Sequence, residues 1–230
     1  MAAVLGAMLT GSSTAWASPR VDLGVVTEFP LHVGAEVAVE GPYRLRARTA
    51  LGVLPGPYLD AINGVLVGLE AYDDATARII SATLASSLVW RTHLGWRPLP
   101  RRGFYFEAGY GLVTLGGNLT SQELLLAVTG RAPAEPRSDQ PIAFSATATL
   151  HMIDLVAGWE WPLLREHLVV RASVGLAGTV ASRTTLAPDF TPRRPTAVAQ
   201  LAAAGQAYLD DIFTSYVWMP TLSIGLSWRP

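Results

Sequence analysis

From Tyr43 to Val53 the chain reads YRLRARTALGV, and the residues alternate in kind at every step. In an extended strand successive side chains point to opposite faces. Tyr43, Leu45, Ala47, Thr49, Leu51 and Val53 then share one face, and Arg44, Arg46 and Arg48 share the other. A helix turns by 100° per residue and would mix the two sets, so the pattern demands a strand. It also demands two different surroundings. One face suits an apolar medium, and the other needs water or partner carboxylates.

The same period of two returns along the chain. Leu31, Val33, Ala35, Val37 and Val39 alternate with His32, Gly34, Glu36, Ala38 and Glu40. Leu88 to Arg97, Phe104 to Leu115, Ile153 to Trp161 and Leu168 to Leu176 repeat it, and Trp218, Leu222, Ile224, Leu226 and Trp228 share a face in the last run. Connections after Glu40, Arg97 and Trp161 are short. Those over Pro55 to Ser86, Gly116 to Pro141 and Arg183 to Thr214 are long, and the two kinds take turns along the chain. Short turns alternating with long loops are the layout of a transmembrane barrel. A closed barrel of this kind needs an even strand number, which calls for one more strand over Arg20 to Glu28, reversing near Phe29-Pro30. The expected fold is all-β: an eight-stranded antiparallel transmembrane barrel with short helices in the long loops.

Composition agrees with a lipid-facing surface. Hydrophobic residues make up 50% of the 230 residues and charged residues 15%, against about 25% charged in an ordinary soluble domain. A net charge of −1 gives no basic footprint for nucleic acid. Cysteine is absent, which removes disulfides and thiolate chemistry. No stretch supplies the ~18 uninterrupted apolar residues of a membrane-spanning helix. Ala2 to Leu9 followed by Ala15-Trp16-Ala17 has the outline of a secretory signal peptide, although no basic residue precedes the apolar run. Residues 1–17 are therefore expected to be removed, leaving 18–230 as one barrel domain. Within the loops, Asp73-Asp74 is a candidate cap for a helix through Leu84, and Pro195 for an Ala-rich helix carrying Val198, Leu201, Tyr208 and Ile212.

The face opposite the apolar one collects His32, Glu36, Glu40, Arg44, Arg46, Arg48, Arg91, His93, Arg97, Glu107, Asp154, Glu160 and Arg171, with glycines between them. Acid and base nearly balance there. An eight-stranded barrel has an interior just wide enough for side chains, and buried charges must be paired. These residues are expected to form a charge network filling a closed lumen. Tyr43, Trp96, Phe104, Trp159, Trp161 and Trp228 belong to the apolar face and lie beside short turns or the C-terminus. They are expected to form the periplasmic aromatic girdle.

The strands SLVWRTHLGW, FYFEAGYGLV and LVVRASVGLA, with the closing TLSIGLSW, give the chain a pattern that resembles the small bacterial outer-membrane barrels of the OmpA/OmpX type. The resemblance implies an outer-membrane location in a Gram-negative bacterium. It also implies that the barrel-insertion machinery reads the final strand, here through Leu222, Ile224, Leu226 and Trp228, with Arg229-Pro230 running past the aromatic. It implies no activity.

Chemistry is sparse. Lipid-active barrels need a Ser–His–acid set at the rim. His151, with Ser145, Thr147 and Thr149 nearby and Asp154 on the same strand, is the one seed for it. His32 and His93 fit the lumen network better than a catalytic role, and His167 lies beside a turn. Asp210-Asp211, Asp73-Asp74 and Asp60 suit helix caps and solvated loops, with calcium binding as the competing role. No cofactor or metal motif is present. The expected role is non-enzymatic: a closed-lumen barrel whose partners are outer-membrane lipid and whatever the long loops contact. Three other roles compete with it: a lipid hydrolase or acyltransferase, a narrow channel, and a soluble barrel holding an apolar ligand.

Overall fold

The structure, a computed structural model, describes residues 19–68, 77, 81, 86–99, 103–122, 124–125, 143–192 and 194–230. The expected signal peptide and most of the helix expected after Asp73-Asp74 lie outside these residues; Ala77 and Ser81 are helical.

Eight antiparallel strands close in sequence order into a barrel. They are β1 (Arg20–Phe29), β2 (His32–Glu40), β3 (Leu45–Val53), β4 (Ser86–Trp96), β5 (Phe104–Thr120), β6 (Ala143–Leu163), β7 (Leu168–Pro188) and β8 (Trp218–Trp228). Two longer helices, α1 (Gly56–Gly68) and α2 (Pro195–Tyr216), lie in the connections after β3 and β7. The β2–β3, β4–β5 and β6–β7 connections and the ends of β1 and β8 share one rim, the turn end; the long connections share the other, the loop end.

β1 and β2 pair with Arg20 opposite Glu40 and Glu28 opposite His32. Even residues therefore face even residues, and alternation passes through the turn without a break in phase. Only Phe29-Pro30 marks the reversal. There the Leu31 N–H donates to the Glu28 carbonyl at 2.6 Å across a turn with a cis proline at its third position.

Three strands run farther than the expected loop boundaries. β5 and β6 stay paired through Thr120↔Ala143, and β6 and β7 through Phe144↔Pro188. These segments are rich in Thr, Ser and Ala, which resemble loop composition but still complete a ladder. The result is a three-stranded wall rising above the rest of the loop end. Its inner face is apolar on β5 and β6, and a β-bulge brings the apolar side of β7 into line with them. His151 pairs with Ala181 and Met152 with Thr179, so Val180 is the extra residue. Inward positions on β7 are odd up to Thr179 and even beyond it, which turns Thr184 and Leu186 inward.

α2 seats on that inner face. Pro195 at its first turn and the Ala-rich run start and sustain it. Leu209, Phe213 and Ala202 join Leu124, Phe144 and Leu186 in one buried cluster, which continues downward through Leu115, Leu150 and Met152. Asp210 accepts hydrogen bonds from Ser182 at 2.8 Å and Thr184 at 2.7 Å, pinning the helix to β7 just past the bulge. The pentapeptides YLDAI (Tyr58–Ile62) and YLDDI (Tyr208–Ile212) fall in α1 and α2, and Leu59, Tyr208 and Ile212 pack together. Leu124 is buried under α2, whereas Val65 on α1 is exposed.

Asp210→Ala removes two hydrogen bonds to a charged acceptor, a loss on the order of 2 kcal/mol. Amide exchange in α2 is expected to accelerate more than tenfold while β1–β8 keep their protection, as read by hydrogen-exchange mass spectrometry.

Candidate functional site: a ring of alternating charge

The lumen in the turn half is filled by ion pairs. Arg46 meets Glu107 at 2.6 Å and also Glu160. Arg48 meets Glu107 at 2.8 Å and Glu36 at 3.1 Å. Arg171 meets Glu36, and Glu160 at 3.8 Å. Followed in order, Arg46, Glu107, Arg48, Glu36, Arg171 and Glu160 form a closed circuit of alternating sign. Its members come from β3, β5, β2, β7 and β6. Each guanidinium bridges two carboxylates, which a planar fork with five donors can do and a lysine ammonium does poorly. The chain has no lysine: all 17 of its Lys and Arg positions are arginine.

Arg97 extends the ring toward the rim, reaching Glu160 and Glu40 at 3.0 Å. Tyr105 stacks beneath Arg46, its ring centroid 4.4 Å from the guanidinium carbon. Space for that ring comes from Gly158, where a methyl group would run into the tyrosine ring and hydroxyl. Strands that add no charge to the ring offer small inward residues, among them Gly95, Gly225 and Ser227, and Arg171 donates to Ser227 at 3.0 Å.

A second cluster lies toward the loop end. Arg91 bridges Glu28 and Asp154, the latter at 2.6 Å, and His93 Nε2 lies 2.7 Å from Asp154. His32 Nδ1 is 3.9 Å from Glu28. Gly109 leaves room for this pairing, because a methyl there would strike both Asp154 and His93. Immediately above lie Val89, Val113, Leu150 and Met152, the floor of the apolar cluster under α2. At the turn end, Arg229 holds Asp22 in a two-pronged contact at 2.6 and 2.8 Å, joining the C-terminus to β1.

Placed against the sequence, His32, Glu36, Arg46, Arg48, Arg91, His93, Glu107, Asp154, Glu160 and Arg171 are buried inside, and Glu40 and Arg97 lie half-buried near the rim. Arg44 does not join them. The ladder begins at Leu45, and Tyr43 and Arg44 form the hairpin tip with φ of 58° and 63°, so period two no longer governs Arg44 and its side chain is exposed. Glu28, Tyr105, Asp22 and Arg229 are the members that the alternating faces did not bring forward. Glu28 follows the same even-numbered phase as Glu36, which was the available signal. The Asp22–Arg229 clamp joins the first strand to the chain's end and has no local signature.

His151 points outward and bonds the Tyr110 hydroxyl at 2.6 Å. Asp154, three residues on, faces the lumen and is engaged by Arg91 and His93. An odd spacing on a strand puts the two on opposite faces, so no catalytic triad forms with that acid. Among the described residues no three metal-ligating side chains converge.

The barrel exterior is apolar. Leu23, Val25, Leu45, Leu51, Leu94, Leu155, Val174 and Ile224 are all exposed, Leu155 to 68%. Tyr43, Trp96, Trp161 and Trp228 project outward at the turn end, where Phe104 packs on Trp159 at 5.5 Å. A second row, absent from the sequence reading, lies toward the loop end. It holds Phe29 against Tyr58 at 5.1 Å, Trp90 against Tyr110 at 6.5 Å, and Trp218. β8 carries one tryptophan of each row at its two ends, spanning 11 residues. Beyond this row the outer face of β5–β7 turns polar, with Thr114, Thr147, Arg183 and Thr185.

No protein-family model matches the sequence, and no curated protein matches it. Among solved structures, the chain is similar to a major outer membrane protein of Thermus thermophilus, at 12% identity and a TM-score of 0.43 over 93% of this chain and 100% of that one. It is also similar to CarO2 of Acinetobacter baumannii, at 13% identity and a TM-score of 0.37 over 92% of this chain and 99% of that one. CarO of the same organism aligns at 14% identity and a TM-score of 0.38, over 92% of this chain and 97% of that one.

Glu107→Gln takes one of two carboxylates from both Arg46 and Arg48 and is expected to cost about 3–5 kcal/mol, the usual penalty for breaking a buried pair. Adding Arg48→Met to it should cost less than the two single losses combined. Urea unfolding of the barrel in lipid vesicles measures both, and additive losses would mean that the ring is not a coupled unit. Arg44→Ala should leave the midpoint unmoved.

Proposed function

We propose that this protein is a non-enzymatic barrel of the outer membrane of a Gram-negative bacterium, closed to solutes, with structural or surface-contact roles. The observation that carries this reading is the inside-out partition. Leucines, valines and tryptophans cover the exterior between two aromatic rows, while guanidiniums and carboxylates are enclosed. In water that arrangement would expose the apolar surface and bury the charges, the costly choice on both counts. In a bilayer it is the stable one, and a closed barrel leaves no backbone edge unsatisfied. The 11 residues from Trp218 to Trp228 match the ~9–11 residues of a tilted crossing strand.

On this reading the turn end lies in the periplasm, residues 1–17 are a cleaved signal peptide, and the insertion machinery recognises Leu222, Ile224, Leu226 and Trp228 on β8. Bilayer lipid is the partner along the belt. β6 has 21 residues, about twice what a crossing needs, so the β5–β7 wall and its α2 roof stand outside the bilayer as the surface available to partners. The channel alternative is disfavoured by two barriers in series: the charge ring, and the apolar cluster under α2. A soluble barrel with an apolar ligand is disfavoured because the turn-half interior is occupied by charge.

The folded protein is expected in the membrane fraction as a band that changes mobility on boiling, with no unitary conductance in planar bilayers. Recovery in the soluble periplasm without detergent would overturn the membrane reading. Steady single-channel steps would overturn the closed lumen.

A further inference from the structure

All five described non-glycine residues with positive φ fall in two turns on the same rim: Tyr43 and Arg44, and Leu164, Arg165 and Glu166. In the first, the Leu45 N–H donates to the Pro42 carbonyl across Tyr43 and Arg44. In the second, the His167 N–H donates to the Leu164 carbonyl at 3.4 Å. Turns with left-handed central residues favour Asn and Gly, because a side chain there crowds the backbone. The chain instead places Tyr43-Arg44 at the centre of the first and Arg165-Glu166 at the centre of the second, with Leu164, also at positive φ, leading into it. The positive φ values close the tight hairpins, but the side chains gain no packing inside the molecule: Tyr43 is 82% exposed and Leu164 70%. Arg44 donates only to the Pro98 carbonyl, at 3.2 Å, and neither Arg44 nor Arg165 has a carboxylate partner among the described residues. This departs from the lumen, where each of Arg46, Arg48, Arg91, Arg97 and Arg171 meets carboxylate. Exposed apolar side chains beside arginines that lack carboxylate partners point to a contact outside the chain.

Position and chemistry identify that contact. Both tips lie at the rim beside the outward aromatics Trp96, Phe104, Trp159, Trp161 and Trp228. An apolar side chain next to an arginine, at the edge of an apolar belt, suits the headgroup layer: the first enters the acyl boundary, and the second reaches up to a phosphate. Exposed charge at the two tips is Arg44 and Arg165 against Glu166, with Arg20 on the same rim. We infer that the Tyr43-Arg44 and Leu164-Arg165 tips are paired anchors for the phosphates of anionic phospholipid in the leaflet at the turn end. The inference rests on the membrane reading above and adds a lipid preference to it.

The test uses the full folded barrel in vesicles of phosphatidylcholine containing trace dansyl-labelled phosphatidylglycerol or dansyl-labelled phosphatidylcholine, with transfer from tryptophan to dansyl as the signal. The wild-type barrel is expected to favour the anionic probe by roughly fivefold per arginine, the size of an interfacial basic contact. The Arg44→Gln/Arg165→Gln pair should bring the ratio close to one. Arg44→Lys/Arg165→Lys should keep most of it, and Arg183→Gln at the other end all of it. Millimolar inorganic phosphate should not displace the lipid. An anionic preference that is equal in wild type and the glutamine pair overturns the anchor. Should the glutamine pair fail to show a heat-modifiable band, salt decides: a wild-type preference unchanged between 0.1 and 1 M overturns it. If the wild type stays in the aqueous fraction and transfers to neither probe, the membrane reading itself has failed. Equal transfer to both probes from an inserted barrel removes the lipid preference alone.

Discussion

The circuit of Arg46, Glu107, Arg48, Glu36, Arg171 and Glu160 is the interaction on which the rest of the barrel depends. Burying one of these ions alone would cost several kcal/mol, and even a good pair repays that cost only when every donor and acceptor has a counterpart. A closed ring goes far toward this condition with few residues, because each member serves two neighbours, and leaves Arg46 Nη2 and Arg171 Nη1 without a hydrogen-bond partner among the described residues. It also ties together strands that are not adjacent. β2, β3, β5, β6 and β7 are joined across the lumen, so the charges act as cross-struts where a soluble protein would have a hydrophobic core. The inward glycines follow from this. They stand where a side chain would occupy the space that Tyr105 or the His93–Asp154 pair needs.

The interior is not uniform along its axis. The turn half is ionic, and the loop half is apolar and roofed by α2, with the Arg91 cluster between them. The switch belongs to the tall wall. Val113, Leu115 and Leu150 continue the inward phase of the charged residues below them, and the bulge at Val180 brings Leu186 and Thr184 to the same side. On the membrane reading, a strand that leaves the bilayer has water outside it, so its polar and apolar faces exchange roles. Thr114, Thr147 and Thr185 now face out, and the leucines face in. The inversion of the two faces along β5–β7 is the same hydrophobic rule applied in two solvents.

What could be read in advance depended on whether the signal was local. Alternation located the strands and assigned nearly every lumen charge, because in a half-buried strand the face of a residue follows from its parity. Parity failed where the ladder stopped. Arg44 continues the Arg46, Arg48 series by number but sits in a turn, where the backbone no longer alternates. It failed again at the bulge, where one extra residue reverses the phase without changing composition. The ends of β5, β6 and β7 were drawn too short, since Thr, Ser and Ala resemble a loop in composition even where they complete a ladder. His151 and Asp154 looked like neighbours by spacing, and the strand geometry separates them.

By itself the sequence determined the fold class, the strand number and the inside-out arrangement, all through period two, the balance of acid against base, and the alternation of short with long connections. Each of these is a property of neighbouring residues or of simple counts. Only the tertiary structure decided which carboxylate each arginine meets, that three arginines and three glutamates close into a ring, that Arg229 clamps Asp22 of the first strand, and that α2 seals the loop half. Those contacts depend on strand register and barrel closure, which bring together side chains as far apart in sequence as Asp22 and Arg229. No window along the chain contains them.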